Sequence, residues 1–316
     1  MSTGYFSHHD CHLHEMGEGH PECPERLDAI ADHLLSSGLL DVLLQPEVPQ
    51  ASLADIELAH SHMHVAAVHG LRDRIEAEEM AGGPSHFYID PDTAMNAFSL
   101  DAALRAAGAA VAATDEVMDG RLQNAFCAIR QPGHHAMRDK AMGFCLFNNI
   151  AIAAKHALER RGLKRVAIVD FDVHHGNGTE DILASDPRCL MVGIFQHPFY
   201  PYSGEHARAD NMLNLPVPAF TRGAAVRDLF EQTLLPKLEE FRPEMIFISA
   251  GFDAHRDDDL GQMGLVEADY EWLTERIGDV AKRHAKGRIV SCLEGGYNLS
   301  ALARSVHAHV KVLTNL

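Results

Sequence analysis

Polar residues that could bind a metal ion or transfer protons follow four apolar stretches of the chain, at residues 130–135, 170–178, 249–254 and 294–297. In the second segment, Asp172 and His174 are two residues apart, so on an extended chain their side chains point the same way. Two such side chains suit one metal ion, and Asp253 from the third segment would supply a third ligand. Three protein ligands leave a coordination position open for water or substrate, as in catalytic zinc sites.

The ligand types of this predicted site indicate which metal it binds. Two carboxylates and one imidazole form an anionic site that suits a borderline divalent cation. Zn²⁺ is the first choice, and Fe²⁺ and Co²⁺ remain open. On its own, segment 170–178 also fits a solvated loop or a phosphate and Mg²⁺ site, but three further polar strand ends in one chain favour the metal interpretation.

The other polar residues at these strand ends supply proton-transfer and hydrogen-bonding groups. Adjacent His134 and His135 could accept and donate protons as a coupled pair, which Asp170 and Asn177 could orient. Tyr297 follows two glycines that allow close approach to a ligand, so its phenol could hydrogen-bond a developing oxyanion. Zinc polarises a carbonyl and lowers the pKa of a bound water, so these groups together predict an amide hydrolase. Without that context, the histidines would be hydrogen-bonded core residues and Tyr297 an ordinary buried tyrosine.

Alternating strand and helix patterns must position these residues. Continuous apolar runs of the buried-strand type occupy residues 124–129, 165–169, 189–195, 245–249 and 288–293. Amphipathic helix patterns occupy residues 24–35, 99–118, 148–161 and 267–285. Strands that alternate with helices predict a parallel sheet covered on both faces, and ligands bind beyond the carboxyl ends of such strands. No repeat or linker interrupts the pattern, so we expect a single domain over residues 1–316.

Composition and charge restrict the class of partner. The chain has 316 residues, 46% of them apolar, which is a globular composition. Asp and Glu total 45 against 27 Lys and Arg, giving a formal net charge of −18. This negative charge disfavours nucleic acids and anionic membrane surfaces as partners and favours cationic ligands. The 22 histidines, many of them in pairs next to aspartates, agree with a metal-binding function.

Cysteine usage and the N-terminal sequence predict the compartment. The six cysteines lie far apart and mostly in apolar runs, unlike the dense spacing of a secreted disulfide framework. The first 25 residues contain histidines and acids instead of a basic stretch followed by an apolar segment. No apolar run approaches the roughly 18 residues of a membrane span. We therefore expect a soluble, unprocessed protein of the cytoplasm.

Together the four polar segments resemble the active-site motifs of the histone deacetylase superfamily, in particular its bacterial class II-like members, the histone deacetylase-like amidohydrolases. Supporting stretches lie at residues 19–27, 90–93 and 143–149, so the resemblance spans nearly the whole chain. It implies the arginase-deacetylase α/β fold, a single-domain three-layer αβα architecture with a central, mostly parallel sheet of about eight strands. It also implies that Asp172, His174 and Asp253 are zinc ligands. His134 and His135 would be the tandem histidines, and Tyr297 the phenol that polarises the carbonyl.

The resemblance further implies a narrow apolar channel for a lysine side chain. Channel residues would be Gly143, Phe144, Tyr200 and Leu260, and an entrance loop would carry His20 and Glu22. A structural monovalent cation, K⁺ or Na⁺, would bind near Asp170, Asp172 and His174. The strand at 192–195 lacks the serine usual for that cation site, which leaves one of its side-chain ligands unaccounted for.

Two further departures from the family pattern bear on chemistry and substrate. Asn177 stands where class I members carry Asp, so the second histidine would have an amide partner and a less elevated pKa, as in class II relatives. Leu260 stands where polyamine-specific members place a gatekeeping Glu, which favours acyl-lysine over a substrate with a second positive charge. The predicted function is therefore removal of acetyl or other acyl groups from the ε-amino group of lysine in proteins or peptides.

Three other functions fit parts of the pattern. A deacetylase of acetylpolyamines or other small acylated amines is the main alternative, because the acidic surface would attract polycations. A catalytically silent acyl-lysine binder would be expected to lose Tyr297 or a tandem histidine, and all are present. A ureohydrolase with two Mn²⁺ ions would need further bridging carboxylates after Asp253, where Ala254 and His255 stand instead.

The N-terminal segment holds a second group of metal-binding residue types, namely Cys11, His12, His14, His20 and Cys23. Their spacing is irregular, so a hydrogen-bonded entrance loop is the preferred interpretation and a structural zinc the alternative. The sequence is compatible with a homo-oligomer but predicts no interface.

Overall fold

A seven-stranded β-sheet forms the centre of the structure, a computed structural model that describes residues 2–316. Every neighbouring pair of strands in this sheet is parallel. In chain order, and including β2 and β3 of a separate antiparallel hairpin, the strands are β1 (Thr3–Phe6), β2 (Phe87–Tyr88), β3 (Ala94–Met95), β4 (Asn124–Cys127), β5 (Val166–Asp170), β6 (Cys189–Gln196), β7 (Met212–Val217), β8 (Met245–Ala250) and β9 (Ile289–Leu293). The order across the sheet is β1-β4-β9-β8-β5-β6-β7.

Helices pack on both faces of this sheet and give three layers, αβα. They are α1 (Asp10–Leu13), α2 (Glu25–Ser36), α3 (Leu53–Ile56), α4 (His62–Met80), α5 (Ser99–Met118), α6 (Asn149–Glu159), α7 (Asn177–Leu183), α8 (Gly223–Leu229), α9 (Leu235–Phe241), α10 (Glu267–His284) and α11 (Leu299–Thr314). Successive strand residues point to opposite faces. Ile168 accordingly joins the apolar core with α5 and α6, whereas Val169 joins the core with α10 and α11.

The five strands predicted from apolar runs are confirmed, with ends that shift by no more than two residues. The sheet has seven strands where about eight were expected, and the two strands that the pattern misses, β1 and β7, are its edges. β1 has only four residues, and β7 contains Pro216, which is tolerated at a sheet edge because it need not donate a hydrogen bond. Neither strand has the continuous apolar run of a buried central strand.

The four predicted helices are confirmed as α2, α5, α6 and α10, and α5 has the predicted bounds. The pattern misses the short helices α1, α3, α7, α8 and α9 and the long helices α4 and α11. Only four of the 19 residues of α4 are buried, so its apolar periodicity is weak. In α11 the apolar residues Leu302, Val306, Val310 and Leu313 recur at helical spacing, so this helix was available from the sequence. Within residues 2–316, no helix combines the length and apolar composition needed to cross a membrane.

The four polar segments meet at one edge of the sheet. They follow β4, β9, β8 and β5, which are consecutive in the sheet and parallel, so their carboxyl ends lie side by side. The strand register sets Asp170 of β5 beside Ser249 of β8, and Cys127 of β4 beside Cys292 of β9. The topology therefore brings residues that are far apart in the chain to the edge where ligands bind in parallel sheets.

Candidate active site and metal centre

Asp172, His174 and Asp253 are the one group of three or more metal-ligand side chains among residues 2–316 whose donor atoms lie within 4.8 Å of one another. Nδ1 of His174 is 3.0 Å from Oδ1 of Asp172 and 3.1 Å from Oδ2 of Asp253. Asp172 is 1% exposed and Asp253 0%. Buried carboxylates need a cation or hydrogen-bond donors, so this group has the character of a metal site.

Backbone hydrogen bonds fix the orientation of the two carboxylates. Oδ2 of Asp172 accepts the N–H of Gly295 and Oδ1 of Asp253 accepts the N–H of Val173, both at 2.9 Å. Gly295 must lack a side chain, because a Cβ atom would overlap Asp253 Oδ2. That oxygen is buried and has no hydrogen-bond partner within residues 2–316. An unpartnered carboxylate oxygen beside His174 Nδ1 fits a metal ligand.

The charges of the group also fit a divalent cation. Burial alone would lower the pKa of His174, but the adjacent carboxylates of Asp172 and Asp253 raise it to about 10. Burial, together with the negative charge of Asp172, raises the pKa of Asp253 to about 7. His174 and Asp253 therefore both tend to keep their protons when no cation is bound. A divalent ion would take their place, and carboxylate and imidazole donors suit Zn²⁺, Fe²⁺ and Co²⁺.

His134 and His135 lie beside the metal-ligand group, with ring centroids 4.0 Å apart. Nδ1 of His134 is 3.0 Å from Oδ2 of Asp170, and Nδ1 of His135 is 2.7 Å from Oδ1 of Asn177. All four side chains are buried. The structure thus brings the two predicted orienting residues into contact with the two histidines.

The two imidazoles have opposite protonation tendencies. Burial alone would lower the pKa of His134, but the surrounding carboxylates, Asp172 foremost, raise it well above its usual value. Burial and the positive charge of His134 hold the pKa of His135 well below its usual value. The amide oxygen of Asn177 can only accept a hydrogen bond, so Nδ1 of His135 carries the ring hydrogen and Nε2 keeps a lone pair. His135 can therefore accept a proton at neutral pH.

Tyr297 follows β9 in a turn that requires glycine. Gly296 has a φ of 121°, which residues with a side chain rarely adopt. The Tyr297 ring meets the Phe144 ring edge-on at a centroid distance of 6.0 Å, and the Arg26 guanidinium lies 5.0 Å from the Tyr297 centroid. Burial and the negative charge of Asp253 raise the pKa of Tyr297 well above its usual value. The phenol therefore keeps its proton and can donate a hydrogen bond.

Phe144 and Tyr200, the predicted channel walls, contact different parts of the site. The Tyr200 ring meets His135 edge-on at a centroid distance of 5.3 Å, whereas Phe144 meets Tyr297. Gly143 lies so close to His135 that a Cβ atom would overlap the imidazole. All three predicted residues thus lie next to the histidines and the phenol.

Two loop residues differ in their relation to the site. Leu260, the fourth predicted channel residue, is partly exposed on the loop that follows Asp253. Phe199, which sequence reasoning misses, stacks on His174 with a centroid distance of 5.4 Å and an interplanar angle of 14°. The available signal for Phe199 is its position directly before the predicted channel residue Tyr200.

The two residues predicted for the entrance have different positions. His20 is partly exposed, and its ring meets Phe144 edge-on at a centroid distance of 4.8 Å. The entrance prediction for Glu22 is wrong, because its side chain is 0% exposed. The Glu22 carboxylate accepts hydrogen bonds from Arg130 Nε at 2.6 Å and Arg26 Nη1 at 3.1 Å. These buried guanidinium groups keep the carboxylate inside, since buried charges require partners.

Glu294 is a second residue near the site that sequence reasoning did not select. Its Oε2 accepts the N–H groups of Gly133 and His134 at 2.6 and 3.0 Å, and its Oε1 accepts the hydroxyl of Ser249 at 3.1 Å. Burial raises the pKa of Glu294 to about 7. Its position at the start of segment 294–297 was the available signal. Glu294 therefore anchors the backbone that carries the tandem histidines.

The N-terminal cysteines and histidines have hydrogen-bond partners of their own. Nδ1 of His14 is 2.7 Å from Oγ of Ser99, and Sγ of Cys11 lies 3.9 Å from the backbone oxygen of Ala102. Both side chains are buried. These contacts agree with a hydrogen-bonded loop in this segment.

The predicted monovalent-cation site near Asp170, Asp172 and His174 stays a prediction. Oδ1 of Asp170 accepts the Asp172 N–H at 3.1 Å, and its Oδ2 faces His134. Gly193 of β6 stands beside Asp170 in the register and offers no side-chain ligand.

The fold and the site together define a class of protein: a three-layer α/β protein with a candidate metal centre, a histidine pair and a phenol at the carboxyl edge of a parallel sheet. Residues 20–313 match the family model of the histone deacetylase domain. The chain belongs to the histone deacetylase family and is a hydrolase that acts on amide bonds.

Individual relatives support this assignment. The chain is 36% identical over 309 residues to a probable deacetylase of Archaeoglobus fulgidus, covering 95% of this chain and 82% of that protein. It is 38% identical over 306 residues to the polyamine deacetylase HDAC10 of Mus musculus, covering 92% of this chain and 44% of that protein. It spans less than half the length of several other eukaryotic relatives as well. The crystal structure of the HDA15 HD domain superposes with a TM-score of 0.89 at 33% identity, covering 99% of this chain and 90% of that one.

Proposed function

We propose that this hydrolase is a zinc-dependent deacetylase that removes acetyl groups from the ε-amino group of lysine in peptides or proteins. The observation that carries the proposal is one cluster at the sheet edge. It combines three candidate metal ligands with a neutral imidazole and a protonated phenol. Hydrolysis of an unactivated amide needs an electrophile, a base and an oxyanion donor. The cluster has residues that would hold a metal ion as the electrophile, and its imidazole and phenol would serve as base and donor.

Asp172, His174 and Asp253 would hold the metal. When bound, a divalent ion supplies Lewis-acid polarisation of the amide carbonyl and a lowered pKa for water. Zn²⁺ is proposed because its preference for nitrogen and oxygen ligands matches these three residues, and Fe²⁺ or Co²⁺ would bind the same set.

The chain's own residues would move the protons. His135 Nε2 would accept the proton of the attacking water, because its pKa is low and Asn177 holds the tautomer with a free Nε2. The pair with His134 would then return a proton to the departing lysine amine, so that no proton is lost or gained overall. The Tyr297 hydroxyl would donate a hydrogen bond to the oxyanion that develops on the carbonyl.

An acyl-lysine substrate is proposed over an acetylpolyamine. Phe144 and Tyr200 offer aromatic surface for an aliphatic side chain beside the site. Leu260 offers no charge for a second ammonium group. Two observations support the polyamine alternative. One is the 38% identity to the polyamine deacetylase HDAC10 of Mus musculus. The other is the net charge of −18, which would attract a polycation without regard to a particular site.

The extent of the catalytic domain and the cellular compartment are also proposals. We propose that residues 1–316 act as one catalytic domain in the cytoplasm, where the six free cysteines would stay reduced. K⁺ or Na⁺ near Asp170 and a homo-oligomeric state also stay predictions.

A substrate panel tests the proposed function. Zinc-loaded protein is incubated with an acetyl-lysine peptide and with N-acetylated polyamines, and kcat/KM is measured for each. We expect the peptide to be preferred by on the order of tenfold or more, because Leu260 cannot pair with the second ammonium group of a polyamine and an unpaired charge is costly to desolvate. Preference for a polyamine would support the alternative function, and tight peptide binding without turnover would indicate a silent binder.

Replacement Tyr297→Phe is expected to lower kcat on the acetyl-lysine peptide by about 10²- to 10³-fold, the typical cost of losing one oxyanion donor. Zinc content, thermal stability and KM should change little, since only a hydroxyl is removed. A trifluoroacetyl-lysine peptide has a more electrophilic carbonyl and should show a smaller loss. Equal losses on the two substrates would argue against oxyanion donation, and no loss would make Tyr297 an ordinary buried tyrosine.

A further inference from the structure

Tyr297 lies in a turn whose backbone is held by a buried acid outside the residues considered so far. Asp258 is 5% exposed and lies on the loop after Asp253. Its Oδ2 accepts the backbone N–H of Tyr297 at 2.6 Å and that of Asn298 at 3.0 Å. Two adjacent N–H groups of the turn therefore share one carboxylate oxygen.

The other oxygen of Asp258 binds the backbone of its own loop, two residues further along the chain. Oδ1 accepts the backbone N–H of Leu260 at 3.0 Å. One carboxylate thus joins the turn that carries the phenol to the loop that carries the predicted channel residue. Charge-assisted hydrogen bonds of this kind are stronger than neutral ones. All three donors are backbone N–H groups, and together they engage both oxygens of Asp258.

Arg26 binds backbone carbonyl groups of the same turn. Its Nε and Nη2 donate to the backbone oxygens of Gly296 and Glu294, at 2.7 and 2.6 Å. Arg26 therefore holds two carbonyls of the turn and Asp258 holds the N–H groups of Tyr297 and Asn298. Asp172 accepts the N–H of Gly295, so Asp258 is the residue that holds the backbone N–H of Tyr297 itself.

We propose that Asp258 is a positioning residue that fixes the Tyr297 hydroxyl over the reaction centre and couples it to the Leu260 loop. The inference rests on the proposed function, because it assigns Asp258 an effect that acts through Tyr297. A displacement of about 1 Å in a reacting group can cost on the order of 10²-fold in rate. A carboxylate that holds the phenol's own backbone N–H is placed to control such a displacement.

Asp258→Asn tests this role with little change in volume. An amide has one acceptor oxygen, so its NH₂ group must face at least one of the three N–H donors and cannot accept from it. We expect kcat on the acetyl-lysine peptide to fall by about 10- to 100-fold, with KM changing much less. The loss on the trifluoroacetyl peptide should be smaller, as for Tyr297→Phe. Zinc content should be unchanged.

The decisive measurement is a double-mutant cycle with Tyr297→Phe. If Asp258 acts through the phenol, Asp258→Asn should cost almost nothing further once the hydroxyl is gone. Losses that multiply independently, or that are equal on both substrates, would overturn the inference. Asp259→Asn is the matched control, since Asp259 is exposed on the same loop, and it should leave kcat unchanged.

Two outcomes separate this inference from the proposed function. If Tyr297→Phe lowers kcat but Asp258→Asn behaves like Asp259→Asn, the inference alone fails. If Tyr297→Phe leaves kcat of zinc-loaded protein unchanged, the role proposed for Tyr297 fails and takes the inference with it. Should Asp258→Asn not fold, as judged by thermal unfolding and zinc content, Asp258→Glu keeps the charge but shifts the acceptors by one methylene. It should give the same substrate-dependent and non-additive loss, and an additive loss would overturn the inference.

Discussion

Removal of divalent metal with a chelator is expected to abolish hydrolysis of an acetyl-lysine peptide, and added Zn²⁺ is expected to restore it. Lewis-acid catalysis is worth several kcal/mol, which corresponds to a rate loss on the order of 10³-fold or more. The measurement is kcat/KM against metal content determined by elemental analysis. Full activity in rigorously metal-free protein would exclude the proposed mechanism.

Asp253→Asn identifies the ligands independently of turnover. The replacement keeps the size of the side chain but removes an anionic ligand whose Oδ2 has no hydrogen-bond partner within residues 2–316. Zinc retention after dialysis should fall, and added Zn²⁺ should raise the unfolding temperature of the unmodified protein more than that of the variant, because a ligand stabilises the state it binds. Exposed Asp259 gives the control, and Asp259→Asn should retain zinc. Unchanged zinc content in Asp253→Asn would remove Asp253 from the ligand set.

The position of the site could be predicted because its residues are encoded locally. Asp172 and His174 follow an apolar strand directly, so their spacing and the topology of parallel sheets are sufficient to place them together with Asp253. The contact between His135 and Asn177 also follows from the family pattern, and the structure has it at 2.7 Å. A motif that follows a central parallel strand lies at the carboxyl edge of the sheet, where ligands bind.

The environment of individual side chains could not be predicted in the same way. Glu22 lies next to His20 in a polar stretch, and nothing in that stretch indicates that its carboxylate turns inward. Its direction is set by Arg26, four residues away, and by Arg130, which is 108 residues away in the chain. Asp258 likewise looks like one of three consecutive surface acids, although it is 5% exposed. Long-range hydrogen bonds decide these cases, and a local pattern contains no record of them.

Replacement His135→Ala is expected to lower kcat by about 10²- to 10⁴-fold, the usual contribution of a general acid or base. The variant should still bind zinc and fold, because His135 is not among the three candidate ligands and its ring borders the site. Exposed His206 supplies a control, and His206→Ala should keep full activity. A loss of less than tenfold in zinc-loaded His135→Ala would assign the proton transfer to another group.

The pH dependence provides a second readout of the same residue. Burial and the charge of His134 hold the pKa of His135 well below its ordinary value of about 6.5, so its basic form persists as the pH falls through that value. A divalent cation bound nearby adds positive charge and lowers this pKa further. The acid limb of the kcat/KM profile should therefore lie below pH 6.5 in the zinc-loaded protein and should be missing from the residual activity of His135→Ala. An acid limb centred above about pH 6.5 that disappears in His135→Ala would mean that His135 is cationic in the resting site, and it could then not act as the base.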